Sequence, residues 1–148
     1  MSVTATVFGK YKLAVLAGTA PALDSATLMV GLLTDDWTPD VDADEFWGDI
    51  DEFEVAAGGE YVTDGQVLGS AAVAYYGAGD FAYLDALDVT WAASTITAHY
   101  AVIYADVTTP ADSPLIAYVD FGADQTTVGT DFTITWAAPA AGAIVKAA

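Results

Sequence analysis

The sequence predicts a mainly β fold, an antiparallel β-sandwich or barrel of about eight strands with a short N-terminal helix and one long acidic loop. Three observations predict it. Short apolar runs with two-residue alternation recur along the chain, turns rich in Gly and Pro separate them, and no long amphipathic helix intervenes. At 148 residues the chain has the size of one domain, and no linker interrupts it, so residues 1–148 read as a single unit around one core. Apolar types supply 55% and aromatics 12% of the residues, ample material for that core. Cys is absent, which excludes disulfides, thiolate zinc sites and a cysteine nucleophile.

The elements follow in order. Val7, Phe8, Tyr11, Leu13, Val15 and Leu16 are spaced to form one face of a short helix over residues 7–17. Pro21 and Asp24-Ser25 break the chain, and the continuous apolar run at residues 27–33 reads as a buried central strand. Residues 35–54 then carry ten of the 21 acids, interspersed with Trp37, Phe46, Trp47, Ile50 and Phe53. Aromatics at these intervals predict an acidic loop with a short helical turn that packs onto the body. Long ordered loops of this kind are often functional.

Beyond Gly58-Gly59 the β signals strengthen. Asp64-Gly65, set between residues 61–63 and 66–68, is a favoured two-residue hairpin turn. Residues 71–75 alternate up to a loop at 77–80, which reverses the chain into residues 81–89 as a second hairpin. Residues 95–104 read as the longest strand, with Ile96, Ala98, Tyr100, Val102 and Tyr104 on one face and Thr97, His99, Ala101 and Ile103 on the other. Two further strands are expected at 115–121 and at 132–136, where Phe132, Ile134 and Trp136 alternate with Thr133 and Thr135. A terminal strand is expected at 143–146.

Charge excludes whole classes of partner. With 21 acids against Lys10, Lys12 and Lys146 and no Arg, the net charge is −18. Phosphate recognition needs Lys and Arg, so neither nucleic acid nor an anionic membrane is an expected partner. The acidity suits solubility, prevention of self-association, or a high-salt environment in which repulsion is screened. No apolar run approaches the roughly 20 residues of a membrane-crossing helix. The N-terminus lacks a signal-peptide pattern, and Met1 reads as the start.

Catalytic signals are sparse. His99 is the single histidine, and at the centre of a strand it reads as a sheet-surface residue and not as the base of a triad. Paired carboxylates of a glycosidase are open to any chain this acidic and therefore point nowhere in particular. Exposed Trp37 or Trp47 would serve as stacking platforms for a sugar. Asp40, Asp42 and Asp44 have the one-three-five spacing of a calcium loop, but Glu45 stands where that loop requires Gly and Asp51 where it prefers Glu. Glycine-rich nucleotide motifs are missing. No catalytic residue and no cofactor is therefore assigned, and Asp40, Asp42 and Asp44 are the nearest candidates for a metal.

Several strand phrases recur together in a recognisable order. They are Val30-Gly31-Leu32-Leu33-Thr34 leading to Trp37-Thr38-Pro39-Asp40, then Glu60-Tyr61-Val62-Thr63, then Asp88-Val89-Thr90-Trp91. Ala98-His99-Tyr100-Ala101-Val102-Ile103-Tyr104 and Pro114-Leu115-Ile116-Ala117-Tyr118-Val119-Asp120-Phe121-Gly122 complete them. In this order they resemble a family of small virion structural proteins of tailed bacteriophages and related tailed viruses, including capsid decoration proteins, over roughly residues 8–136. That family usually carries more Lys and Arg than this chain does.

The resemblance implies a non-enzymatic cement subunit on the capsid exterior, bound to the major capsid protein and other virion proteins. It also implies a homo-oligomer, often a trimer. A tail or host-attachment component, or a carbohydrate-binding module, is the alternative. Trp37, Phe46, Trp47, Tyr75 and Tyr76 are the expected interface residues, as aromatics in a flat β surface or its acidic loop.

Overall fold

A computed structural model describes residues 2–3 and 5–147. The elements are β1 (Ser2–Val3), β2 (Thr6–Val7), α1 (Gly9–Ala17), β3 (Leu28–Leu33), β4 (Gln66–Val67), β5 (Ala72–Tyr76), β6 (Phe81–Asp85), β7 (Val89–Ala105), β8 (Leu115–Trp136) and β9 (Val145–Ala147). A larger sheet runs β1-β8-β7-β3-β4, with β2 also on β8, and a smaller one runs β5-β6-β9. Among the described residues, β1 pairs with β8 in parallel and the other strand pairs are antiparallel. The mainly β class, the short N-terminal helix and the long acidic loop are as the sequence predicts.

The β7–β8 ribbon is folded over, and this bend makes the sandwich. β1 places Val3 opposite Trp136 near one end of β8, while β2 places Thr6 opposite Tyr118 near the other. A straight strand would separate Tyr118 and Trp136 by roughly 60 Å at about 3.3 Å per residue. The three steps from Val3 to Thr6 reach only about 11 Å. Register shifts between Trp91 and Ser94, Ser94 and Ile96, and Ala98 and Tyr100 supply the curvature. Gly122 sits on the bend with φ 76°, a conformation that L side chains rarely adopt. Between the folded halves lies a core that includes Leu32, Trp91, Ile103, Ile116 and Ile134.

Three expectations change. The strands expected at 115–121 and 132–136 are one strand, because Thr126 and Thr127 continue the ladder opposite Thr97 and Ile96. Polar Thr-Thr pairs carry that stretch, with Thr97 Oγ1 3.1 Å from Thr126 Oγ1, so the apolar alternation that marks a strand is missing there. As a result β8, and not the segment at 95–104, is the longest strand. The Asp64-Gly65 turn does form, with φ 74° and 77°, yet it does not close a hairpin. Residues 66–67 pair with β3 instead, and Tyr61 is drawn into the core, 1% exposed.

The other elements follow their residues. The hairpin of β5 and β6 pairs Ala72 with Asp85 through to Tyr76 with Phe81. β9 adds to its far side, with Val145 opposite Leu84. α1 ends at Gly18, whose N–H caps the Ala14 and Val15 carbonyls.

Candidate interaction surface

The acidic loop turns its aromatics inward. Trp37 is 2% exposed and Trp47 1%. The Trp37 ring packs edge-on against Tyr100 and Tyr118, with centroids 5.0 and 5.5 Å away, and Phe8 completes the cluster at 6.3 Å. Trp47 stacks on Tyr104 at 4.5 Å and 7°. Gly31 leaves room for it, since a Cβ there would run into the Trp47 ring. Phe46 is half-buried and bridges to Pro114. Trp37 and Trp47 are thus core residues and present no ring to a partner or a sugar, which corrects the expectation for both.

Three of the loop's carboxylates bond its own backbone. Asp40 Oδ1 accepts from the Asp42 and Ala43 N–H groups, each at 3.1 Å. Asp44 Oδ2 accepts from Trp37 Nε1 at 3.2 Å and from the Asp40 N–H at 3.1 Å. Asp49 Oδ2 accepts from the Glu45 and Phe46 N–H groups at 3.2 and 2.9 Å. Asp40 and Asp44 therefore organise a turn to which Asp42 contributes its N–H, and among the described residues no three acidic, His or Cys side chains gather as a metal site.

A half-buried network ties the loop's end to the body. Glu54 Oε1 accepts from Tyr61 Oη and from the Asp64 N–H, both at 2.7 Å. Tyr61 Oη in turn accepts from the Leu32 N–H at 2.9 Å. Trp47 Nε1 donates to Asp64 Oδ1 at 3.0 Å, and Tyr104 Oη to the Asp64 carbonyl at 2.7 Å. Burial pushes Glu54 above its ordinary value, and outweighs the two hydrogen bonds that favour its charged form. Tyr61 and Tyr104 are pushed well above the phenol range, again chiefly by burial.

His99 sits where the ribbon bends, its Nδ1 2.8 Å from Asp124 and its Nε2 3.5 Å from Asp120. Both ring nitrogens face carboxylates on β8. The imidazole thus clips β7 to β8, and neither nitrogen is directed at a hydroxyl that a base would activate.

The exposed apolar surface lies on the opposite kind of element. Leu13, Val15 and Leu16 of α1 are 63, 52 and 89% exposed, and Val73 and Tyr75 of β5 are 48 and 64% exposed. Tyr76 is half-buried, against Phe81 at 5.3 Å. Between α1 and the β5–β6–β9 sheet runs an apolar groove of about 470 Å³, walled by Tyr11, Val15, Leu16, Val73, Leu84 and Val145. Lys12 and Lys146 are among its lining residues, and among the described residues no Asp or Glu is. Lys146 Nζ also rests 5.3 Å from the Phe81 ring centroid. Two of the chain's three lysines thus mark one apolar face of a body with net charge −18.

The chain matches no family model, no curated protein and no solved structure. Its surface is therefore the ground on which a function is argued.

Of the sequence-predicted residues, Tyr75 and Tyr76 lie on β5, the strand that gives Val73 to this groove, while α1, Lys12 and Lys146 are not among those predicted. A signal was present. Leu13, Val15 and Leu16 cannot all join Tyr11 against a single neighbour at 100° per residue, so part of a nine-residue helix had to stay bare.

Proposed function

We propose that this protein is a virion structural subunit of a tailed virus, bound to the outside of the capsid as a decoration or cement protein. The observation that carries the reading is the apolar, lysine-bearing groove between α1 and the β5–β6–β9 sheet. An exposed apolar patch with a charged rim is the form of a protein-binding site. The segment of the major capsid protein that fills it would present apolar side chains flanked by Asp or Glu, to meet Lys12 and Lys146. The rest of the chain, acidic and without bases other than Lys10, would face solvent.

Two further features support the reading. The strand phrases of the sequence resemble virion structural proteins. The folded β7–β8 ribbon carries buried core residues at both of its ends, among them Ile103, Ile116 and Ile134, which gives the body one continuous core. The tail or host-attachment reading relied on exposed tryptophans as sugar platforms, and Trp37 and Trp47 are core residues. No particular feature of the surface favours it.

The test is mass spectrometry of purified particles, followed by rebinding of the free protein to particles stripped of it. The expected result is the chain in the particle and a tenfold or greater loss of rebinding in Lys12→Glu/Lys146→Glu. Absence from particles would overturn the proposal, and a position on the tail by electron microscopy would replace it with the attachment reading.

A further inference from the structure

We propose that the outer edge of β5 is a self-association edge: two copies pair β5 with β5 antiparallel about a two-fold axis at Ala74, joining their three-stranded sheets into one continuous sheet. The inference does not rest on the virion reading.

β5 is the outermost strand of its sheet, paired with β6 on one side only. Ala72, Val73, Ala74 and Tyr75 are all exposed, so both faces of the strand are bare. Among the described residues, no backbone hydrogen bond outside the β6 ladder reaches these four. Proteins usually guard such an edge with a charge, a proline, a bulge or very short length. The other strands at the ends of the two sheets are short, β1, β2 and β4 with two residues each and β9 with three, one of them Lys146, and the stretch of β8 between its pairings with β2 and β1 carries Asp120, Asp124 and Asp131. β5 has five residues in unbroken register, and none is charged or proline.

The charge distribution selects a second copy as the occupant. Two chains of net charge −18 repel over most of their surface. β5 itself carries no charged side chain; Asp80 beyond its end accepts from Tyr75 Oη at 3.0 Å, and Asp85 lies opposite Ala72 on the side already paired with β6. Val73 also borders the groove that holds Lys12 and Lys146, which brings those bases toward the acidic exterior of the neighbour. The strand is complementary to itself, as an isologous contact requires. About Ala74, Val73 falls opposite the partner's Tyr75 and Ala72 opposite the partner's Tyr76. Aromatic against β-branched is among the favourable cross-strand pairs.

Sedimentation equilibrium on the full chain tests this, at ~0.15 M salt and at ~1 M, where the Debye length falls to about 3 Å. The expected species has twice the 15.3 kDa chain mass, and populates more fully at high salt. Val73→Lys/Tyr75→Lys should halve the apparent mass even though it makes each chain less negative and weakens general repulsion. Val128→Lys, at another exposed strand position, should leave the dimer intact. In a chain without cysteine, Ala74→Cys should oxidise to a cross-linked dimer, and Val128→Cys should not. A wild-type monomer at both salts, a dimer that survives Val73→Lys/Tyr75→Lys, a trimer, or no cross-link at Ala74→Cys would each overturn the proposal. A dimer that never binds particles would leave it standing while removing the proposed function.

Discussion

Residues 35–54 and the face formed by α1 with the β5–β6–β9 sheet are both mixtures of apolar and charged side chains, and they resolve in opposite directions. In the loop, Trp37 and Trp47 turn inward and the acids cap the backbone around them. On the face, Val15, Leu16 and Val73 stay outside, and Lys12 and Lys146 line the same groove. What differs is the receiving surface. Tyr100, Tyr104 and Tyr118 with Gly31 form a platform on the large sheet that the loop's rings cover, whereas among the described residues α1 and β5 keep apolar side chains exposed. Aromatic content marks neither region as an interface; unfilled apolar surface does.

The largest expected effect comes from pulling an anchor out of the loop. Trp47→Ala should cost about 3–5 kcal/mol in urea denaturation, the range for emptying a large buried aromatic site. A loss under about 1 kcal/mol would mean that the loop is not anchored and would dissolve the contrast. Tyr61→Phe removes the acceptor of the Leu32 N–H and the donor to Glu54, and should cost about 1–3 kcal/mol by leaving a buried donor unpaired. Gly31→Ala should cost about as much, roughly 1–3 kcal/mol, because its methyl group would overpack against the Trp47 ring.

A pH series sharpens the same contrast more gently. Burial raises Glu54 above 4.5, and raises Asp44 and Asp51 above 3.8. Each holds its proton more tightly folded than unfolded. Their contribution to stability is therefore complete below those ordinary values and is lost as pH rises through the raised ones. Melting temperature at fixed salt should fall as pH is raised from about 4 toward 7, the ordinary carboxylate range upward, and Glu54→Gln should flatten the slope. The smallest effect belongs to the other region. Leu16→Asp, at a position 89% exposed, should change stability by less than about 0.5 kcal/mol while abolishing rebinding to particles.

The sequence made the β class legible because apolar alternation survives where one sheet face is buried, as at Phe132, Ile134 and Trp136. It concealed the continuity of β8 because residues 122–131 are paired through threonines on an exposed ribbon, where no burial imposes alternation. It concealed the fate of Tyr61 as well. The turn at Asp64-Gly65 is local chemistry, but Glu54 and, 29 residues away in sequence, the Leu32 N–H decide where Tyr61 goes. The acidic loop was visible as a segment, and the direction of its rings was not, since that depends on Gly31 and three tyrosines distributed over three strands. The groove needed the fold itself, because α1 and β9 come from opposite ends of the chain.

Hydrogen exchange read by mass spectrometry, on the free protein and on the protein seated on particles, tests the contrast most directly. The account predicts slowed exchange in Gly9–Ala17 and Val145–Ala147 on the particle, with residues 35–54 exchanging as they do in the free protein. Slowed exchange confined to residues 35–54, with α1 and β9 unchanged, would contradict it.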